Sequence, residues 1–122
     1  MATALERYEE SKAYDERALE IRKKTMDPGH PAIAQNYNNL GEDLRHLGDL
    51  EGAVELHRKA VQMWEAKLGP THDDVASGLT ALGEDLLQLG RSQEALPIAE
   101  RAYAIRKDAE IDELERAHTK WV

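Results

Sequence analysis

The feature that most constrains the fold is an internal repeat with a period of 42 residues. The sequence LGEDL occupies residues 40–44 and recurs letter for letter at residues 82–86. A short unit that recurs at a fixed spacing must stack on its own copies in order to bury its apolar face. The repeat therefore predicts a chain of similar units packed side by side.

Each unit is predicted to contain two helices of different types. The first-type helix carries apolar residues or glycine at a three- and four-residue spacing, which places them on one face. These positions keep their character 42 residues later: Ile33, Ala34, Tyr37, Leu40, Gly41, Leu44 and Leu47 correspond to Val75, Ala76, Leu79, Leu82, Gly83, Leu86 and Leu89. The second-type helix begins near Leu50 and again near Ser92, after glycines at 48 and 90 that suit a helix end.

The chain begins and ends with half of a unit. In residues 4–24, Ala18 and Ile21 correspond to Ala60 and Met63 of the next unit, so this helix is a second-type helix without its own first-type partner. Residues 1–122 are thus predicted to be a single repeat domain. Its predicted parts are a half-repeat helix at 1–26, full repeats at 31–68 and 73–107, and a C-terminal capping helix at 108–122.

Packing is predicted to account for nearly every apolar residue. The aromatic side chains of Tyr37, Trp64 and Tyr103 are expected in the core together with the leucines. Each large apolar side chain so buried contributes about 1.5–3 kcal/mol to stability. Trp121 is the candidate lid residue of the C-terminal helix.

Composition and charge exclude several classes of function. With 24 acidic and 16 basic residues, the formal net charge is −8, and no basic patch stands against it, so a nucleic-acid partner is not expected. Cysteine is absent, which excludes disulfides and thiolate metal sites and fits a reducing compartment. No apolar run approaches the ~20 residues of a membrane span, and the N-terminus has no signal-peptide pattern. A cytoplasmic protein without a membrane partner is expected.

Residues 37–44, YNNLGEDL, followed by alanines at 53 and 60, resemble a tetratricopeptide repeat, which carries an aromatic-x-x-Leu-Gly start and two later alanines. The longer unit and its Pro-Gly-His-Pro linker are similar to the extended repeats of kinesin light chains and of bacterial repeat arrays. The resemblance covers roughly residues 10–107. It implies an all-α fold of helix-turn-helix repeats in a right-handed superhelix, or α-solenoid, that serves as a protein–protein interaction scaffold. The sequence departs from the family pattern at His57, Arg91 and Ala99.

In proteins with similar repeats, the first-type helices line a concave groove that holds an extended peptide. The resemblance assigns the following residues to that groove: Gln35, Asn38, Asn39, Glu42, Arg45, Ser77, Thr80, Glu84 and Leu87. Asn38 stands where an amide side chain bonds the ligand backbone, since a carboxamide donates and accepts at once.

The charge of the expected groove predicts the kind of segment that it binds. Glu42 and Glu84, reinforced by Asp43 and Asp85, are expected to favour a neutral or basic peptide. Leu87 is expected to be its apolar anchor.

Enzymatic and metal chemistry have little support in the sequence. Glu115-x-x-His118 has the spacing of a carboxylate-bridged di-iron site, and Asp43-x-x-His46 is a weaker version. Such a site needs further glutamates inside a bundle, whereas the inward stripes are predicted to be wholly apolar. No enzyme activity, cofactor or metal is therefore expected. His30 and His72 recur with the linker and are expected to cap the helices that follow.

An alternative function is a structural or assembly module. Both half-repeat ends leave faces that a neighbouring repeat would normally cover, so the chain could form a homo-oligomer through its end helices while the groove stays empty.

Overall fold

A computed structural model describes residues 3–121 of the chain, with side chains for residues 3–118. The described residues form five α-helices and no strands, which confirms the all-α prediction. The helices are α1 (Ala4–Thr25), α2 (Pro31–His46), α3 (Leu50–Leu68), α4 (Asp73–Gln88) and α5 (Ser92–Trp121). No helix within this part of the chain combines the length and the apolarity that crossing a membrane would require.

Histidines begin both first-type helices, as the linker pattern predicted. The Nδ1 atom of His30 accepts a hydrogen bond from the backbone N–H of Ala32, and His72 Nδ1 accepts one from Asp74, each at 3.0 Å. These bonds satisfy a backbone donor that the first turn of a helix leaves without a partner. The capping interpretation of the two histidines is confirmed.

Glycines end the same two helices. Gly48 and Gly90 have φ values of +94° and +79°, a left-handed conformation that glycine adopts without steric cost. Behind Gly48, the N–H of Asp49 donates to the carbonyl of Leu44, and behind Gly90 the N–H of Arg91 donates to Leu86, each at 2.8 Å. The resulting Schellman turns reverse the chain and send α3 and α5 back along α2 and α4.

The helices pack in chain order. Each one lies against its neighbours in sequence, and α2 also touches α4, so the two first-type helices are adjacent. The main apolar cluster is centred on Ile33, Trp64 and Val75, and alanines with no exposed surface at 34, 60 and 76 let the helices approach closely. The stacked arrangement brings the repeated faces of α2 and α4 to one side.

The prediction of a separate capping helix at residues 108–122 is wrong. Helix α5 runs without interruption from Ser92 to Trp121, because no glycine or proline follows Pro97 to end it. Residues 106–118 of this extension are exposed, so they do not fold back over the last helix pair. The side chain of Trp121, the predicted lid, lies outside the described residues.

The prediction that Tyr103 is a core residue is also wrong. Its side chain is 67% exposed, and Leu96 on the same helix is 61% exposed. They correspond in the repeat to Val61 and Val54, which are buried where α3 meets α4. In residues 3–118, no helix covers α5 as α4 covers α3, and this difference explains the exposure. The core predictions for Tyr37 and Trp64 are confirmed, at 5% and 2% exposed.

Candidate functional site

The residues assigned to the groove on α2 form a partly ordered polar stripe. Gln35 donates a hydrogen bond from Nε2 to Asn39 Oδ1 at 2.8 Å, one turn along the exposed face of the helix. Asn38 between them is half-buried, and its Oδ1 atom is buried without a hydrogen-bond partner among the described atoms. A buried amide oxygen without a partner is an uncommon feature of a folded protein.

The corresponding residues on α4 are less polar towards the solvent. Thr80 donates its hydroxyl to the carbonyl of Ala76 at 2.9 Å, and Ser77 accepts a bond from Arg106 of α5 at 3.3 Å. Leu87, at the end of the stripe, is 57% exposed. This side chain is therefore accessible to an apolar group of a ligand.

Arg45 connects the two halves of the stripe. Its Nη2 donates to Glu42 Oε2 at 2.5 Å on the same helix, and its Nη1 donates to Glu84 of α4. The Arg45 side chain is only 12% exposed. Burial alone would lower the pKa of this guanidinium, but the bond to Glu84 and the charges of Glu42 and Glu84 outweigh it, so the net pKa is raised. Glu42, Arg45 and Glu84, three of the predicted residues, are thus brought together.

The prediction that Asp43 and Asp85 reinforce the groove charge is wrong. They are 5% and 0% exposed, and they face the second-type helices instead of the stripe. Each is the residue after a stripe glutamate, and one step along a helix turns a side chain by about 100°. The exposed negative charge of the stripe therefore comes from Glu42 and Glu84 alone, and Arg45 offsets part of it.

Both aspartates belong to a set of buried polar contacts between neighbouring repeats. Nδ1 of His57 on α3 donates to Asp85 of α4, and both side chains are fully buried. The corresponding contact one repeat earlier joins Asp15 of α1 to Asp43 of α2. Residues 15 and 57, like residues 43 and 85, stand 42 positions apart. The prediction that the inward stripes are wholly apolar is therefore wrong.

His57 occupies space that a glycine leaves open. A Cβ atom built on Gly41 would lie 2.7 Å from Nε2 of His57, closer than real side chains allow. The same nitrogen lies 3.2 Å from the carbonyl oxygen of Asn38 and 3.7 Å from Glu42 Oε1. The imidazole thus joins α3 to both α2 and α4, which explains how the fold accommodates this departure from the family pattern.

The Asp15–Asp43 contact places two carboxyl groups together. Burial, followed by the hydrogen bond and the negative charge of Asp43, raises the pKa of Asp15 to about 7 from 3.8. The hydroxyl of Ser11 and the charge of Arg22 act in the opposite direction. Below about pH 7, the protonated carboxyl group of Asp15 can donate a hydrogen bond to Asp43, which stabilises this contact.

The buried polar contacts were detectable in the sequence. Asp43 and Asp85 were visible as part of the repeated LGEDL string, and counting 42 back from His57 reaches Asp15. The polar positions that face each other between a second-type helix and the following first-type helix recur with the same 42-residue spacing. The pattern of apolar residues alone does not reveal them. Glu115 and His118 lie on the exposed extension of α5, and no group of three potential ligand side chains that could hold a metal occurs within the described residues.

Comparison with known proteins supports the fold and the family. The tetratricopeptide repeat profile matches residues 1–55 and 33–108. A solved crystal structure from Podosopora anserina, of kinesin-light-chain-type nearly identical TPR-like repeats, superposes with a TM-score of 0.77 at 24% identity. The alignment covers 84% of this chain and 48% of the other, so this chain spans about half the length of that structure. No curated protein matches the sequence. The helix pairs and their stacking are those of an all-α repeat solenoid, and the chain belongs to the tetratricopeptide repeat family.

Proposed function

We propose that this protein is a non-enzymatic interaction scaffold that holds an extended, neutral or basic peptide segment along the stripe shared by α2 and α4. Tetratricopeptide repeats act as protein-interaction modules in general. The observation that carries the finer proposal is the Arg45 bridge, because it fixes the carboxylates of Glu42 and Glu84 on one continuous surface across two repeats. Two carboxylates around one guanidinium leave an excess negative charge that a lysine or arginine of the ligand would complement.

The remaining stripe residues fit the same ligand. The amide of Asn38 can turn to exchange hydrogen bonds with a peptide unit regardless of its sequence, which would also supply the missing partner of its Oδ1. Leu87 would contact an apolar side chain at the far end. Backbone recognition would thus supply affinity, while charge and one apolar contact would supply selectivity.

A double substitution tests the proposal. Peptides captured by the wild-type protein from a random display library should be enriched in lysine or arginine and depleted in aspartate and glutamate. N38A combined with E42Q should weaken their binding by at least about tenfold in fluorescence anisotropy. The matched control is Q62A with E55Q, which removes an amide and a carboxylate from the exposed face of α3. Equal binding by the two double variants, or enrichment of acidic peptides, would contradict the proposal.

A second candidate function is assembly through the end helices, and the exposure of Leu96 and Tyr103 favours it. These side chains occupy the positions that, one repeat earlier, are buried under a first-type helix. Light scattering after size exclusion should then show a mass that rises with concentration, and L96D with Y103D should restore the monomer mass. A monomer at every concentration would eliminate this candidate and leave the peptide proposal unaffected.

A further inference from the structure

A pair of lysines occupies the place where the next repeat has a salt bridge. Arg101 of α5 donates a hydrogen bond to Glu65 of α3 at 2.8 Å, and this bridge joins the second-type helices of the two full repeats. Forty-two residues earlier, the same two positions are Lys59 of α3 and Lys23 of α1. The cation is retained in the first repeat, but a second cation replaces the carboxylate.

Both lysines approach the same tyrosine. The ammonium groups of Lys23 and Lys59 are 5.4 Å and 4.7 Å from the ring centroid of Tyr37 on α2, whose counterpart in the next repeat is Leu79. Burial acts to raise the pKa of the Tyr37 hydroxyl, but hydrogen bonds from Lys23 and Lys59 outweigh it, so the net pKa is lowered. Two cations thus lie close to one tyrosine side chain.

Among the residues with described side chains, neither ammonium has a carboxylate partner. Across residues 3–118, the salt bridges include neither Lys23 nor Lys59. Two like charges that approach the same group repel each other unless an anion lies between them. These two neighbouring cations contrast with the protein's net charge of −8.

The lysines border an apolar cleft of 380 Å³. Besides Lys23, Tyr37 and Lys59, the cleft is lined by Pro28, Ile33 and Met63. These residues come from α1, from the turn before α2, and from α2 and α3. None of the nine residues assigned to the peptide groove contributes to it, so the cleft is a separate feature of the surface.

We propose that this cleft binds a carboxylate attached to an apolar group, with the carboxylate between Lys23 and Lys59 and the apolar group against Ile33 and Met63. The bridge between Arg101 and Glu65 indicates which anion fits, because there a carboxylate lies against the cation whose position corresponds to Lys59. The ligand is either a free small acid or the C-terminal residue of a peptide. Both present the same chemistry to the cleft.

Nuclear magnetic resonance of the intact chain can test this proposal. The probes are N-acetyl-leucine, its amide N-acetyl-leucinamide, acetate, and a four-residue peptide Gly-Gly-Gly-Leu with a free C-terminus. N-acetyl-leucine should shift the ring signals of Tyr37 and the methyl signal of Met63 in a saturable manner, with a dissociation constant of about 1 mM or tighter. The amide and acetate should each bind at least about tenfold more weakly. Equal binding by the acid and its amide, or by acetate and the acid, would overturn the proposal.

Two lysine variants provide the matched comparison. K23E restores the charge arrangement of the second repeat and should weaken N-acetyl-leucine binding by at least about tenfold, while its circular dichroism stays that of the wild type. K24E makes the same charge change one residue away, outside the cleft lining, and should alter binding by less than about threefold. Binding that survives K23E unchanged would overturn the assignment. If Gly-Gly-Gly-Leu binds as well as N-acetyl-leucine, the ligand is the C-terminus of a peptide. If only N-acetyl-leucine binds, the ligand is a small acid. Both outcomes support a carboxylate site in the cleft.

Discussion

At the scale of single residues, the two copies of the LGEDL sequence lie in different structural environments. Gly41 and Gly83 are identical in sequence context, and the sequence predicts the same close helix approach at both. In the structure, a Cβ on Gly41 would meet the His57 ring, whereas a Cβ on Gly83 would find its nearest atoms at 3.9 Å. The difference arises because the position of His57 becomes Ala99 in the last repeat.

This difference gives a prediction with an internal control. G41A should lower the free energy of unfolding by about 1–3 kcal/mol, since the fully buried imidazole has no space to retreat. G83A should be neutral or stabilising by up to ~1 kcal/mol, because alanine is the better helix former and no neighbour is displaced. Urea unfolding of the two variants measures both values. Equal destabilisation by the two alanines would show that His57 does not restrict Gly41.

At the scale of helices, the contact of α1 with α2 is expected to depend on pH. The folded pKa of Asp15, about 7, lies above its ordinary value of 3.8, so the folded protein binds more protons than the unfolded chain between these values. Stability contributed by this group is therefore present at low pH and is lost as the pH rises through this window. Above about pH 7, the repulsion between ionised Asp15 and Asp43 should loosen α1. The groups facing this pair are the Ser11 hydroxyl and the Arg22 guanidinium, and neither removes the repulsion.

Substitution of one carboxyl group isolates the effect. D15N should make the protein more stable than the wild type at pH 8, because the amide can donate to Asp43 without a shared proton. The advantage should shrink as the pH falls towards 5, where the wild type holds its proton. Urea unfolding at several pH values gives the difference in unfolding free energy between the two proteins, in which contributions common to both cancel. Hydrogen exchange in α1 shows whether the loss is local, and a difference independent of pH would contradict the shared proton.

The sequence predicted the positions of most helices, but it did not predict the length of the last helix or the polar contacts between helices. The 42-residue spacing and the apolar stripes predicted the four helices from α1 to α4, and the linker and turn residues predicted the ends of α2 and α4, because burial and backbone satisfaction leave a clear pattern along the chain. They did not predict the length of α5. Apolar residues at helical spacing, such as Ile111 and Leu114, give the same sequence pattern whether or not another helix covers them. The buried Asp15, Asp43, His57 and Asp85 were missed because their pairing joins separate repeats, and no single stripe contains both members.

At the scale of the whole molecule, stability depends on contacts between consecutive units, as expected for a repeat protein. Most of these contacts join helices that follow one another in the chain, whereas the Arg45–Glu84 bridge joins first-type helices of different repeats. Arg45 also lies 3.9 Å from the fully buried Asp85. Its removal would leave three carboxylates, those of Glu42, Glu84 and Asp85, close together without the positive charge between them.

We therefore expect R45Q to destabilise the fold by about 1–2 kcal/mol, towards the lower end for hydrogen bonds to charged groups because Glu84 is half exposed. R58Q, which changes an exposed arginine on α3, should alter stability by less than about 0.5 kcal/mol. In a double-mutant cycle, E84Q should lower the unfolding free energy less in the R45Q background than in the wild type. Without Arg45 the carboxylates repel one another, and E84Q relieves that repulsion. Additive effects of R45Q and E84Q on the unfolding free energy would mean that the bridge does not couple the two repeats. The surface proposed to hold a basic peptide would then lack the shared charge on which that proposal depends.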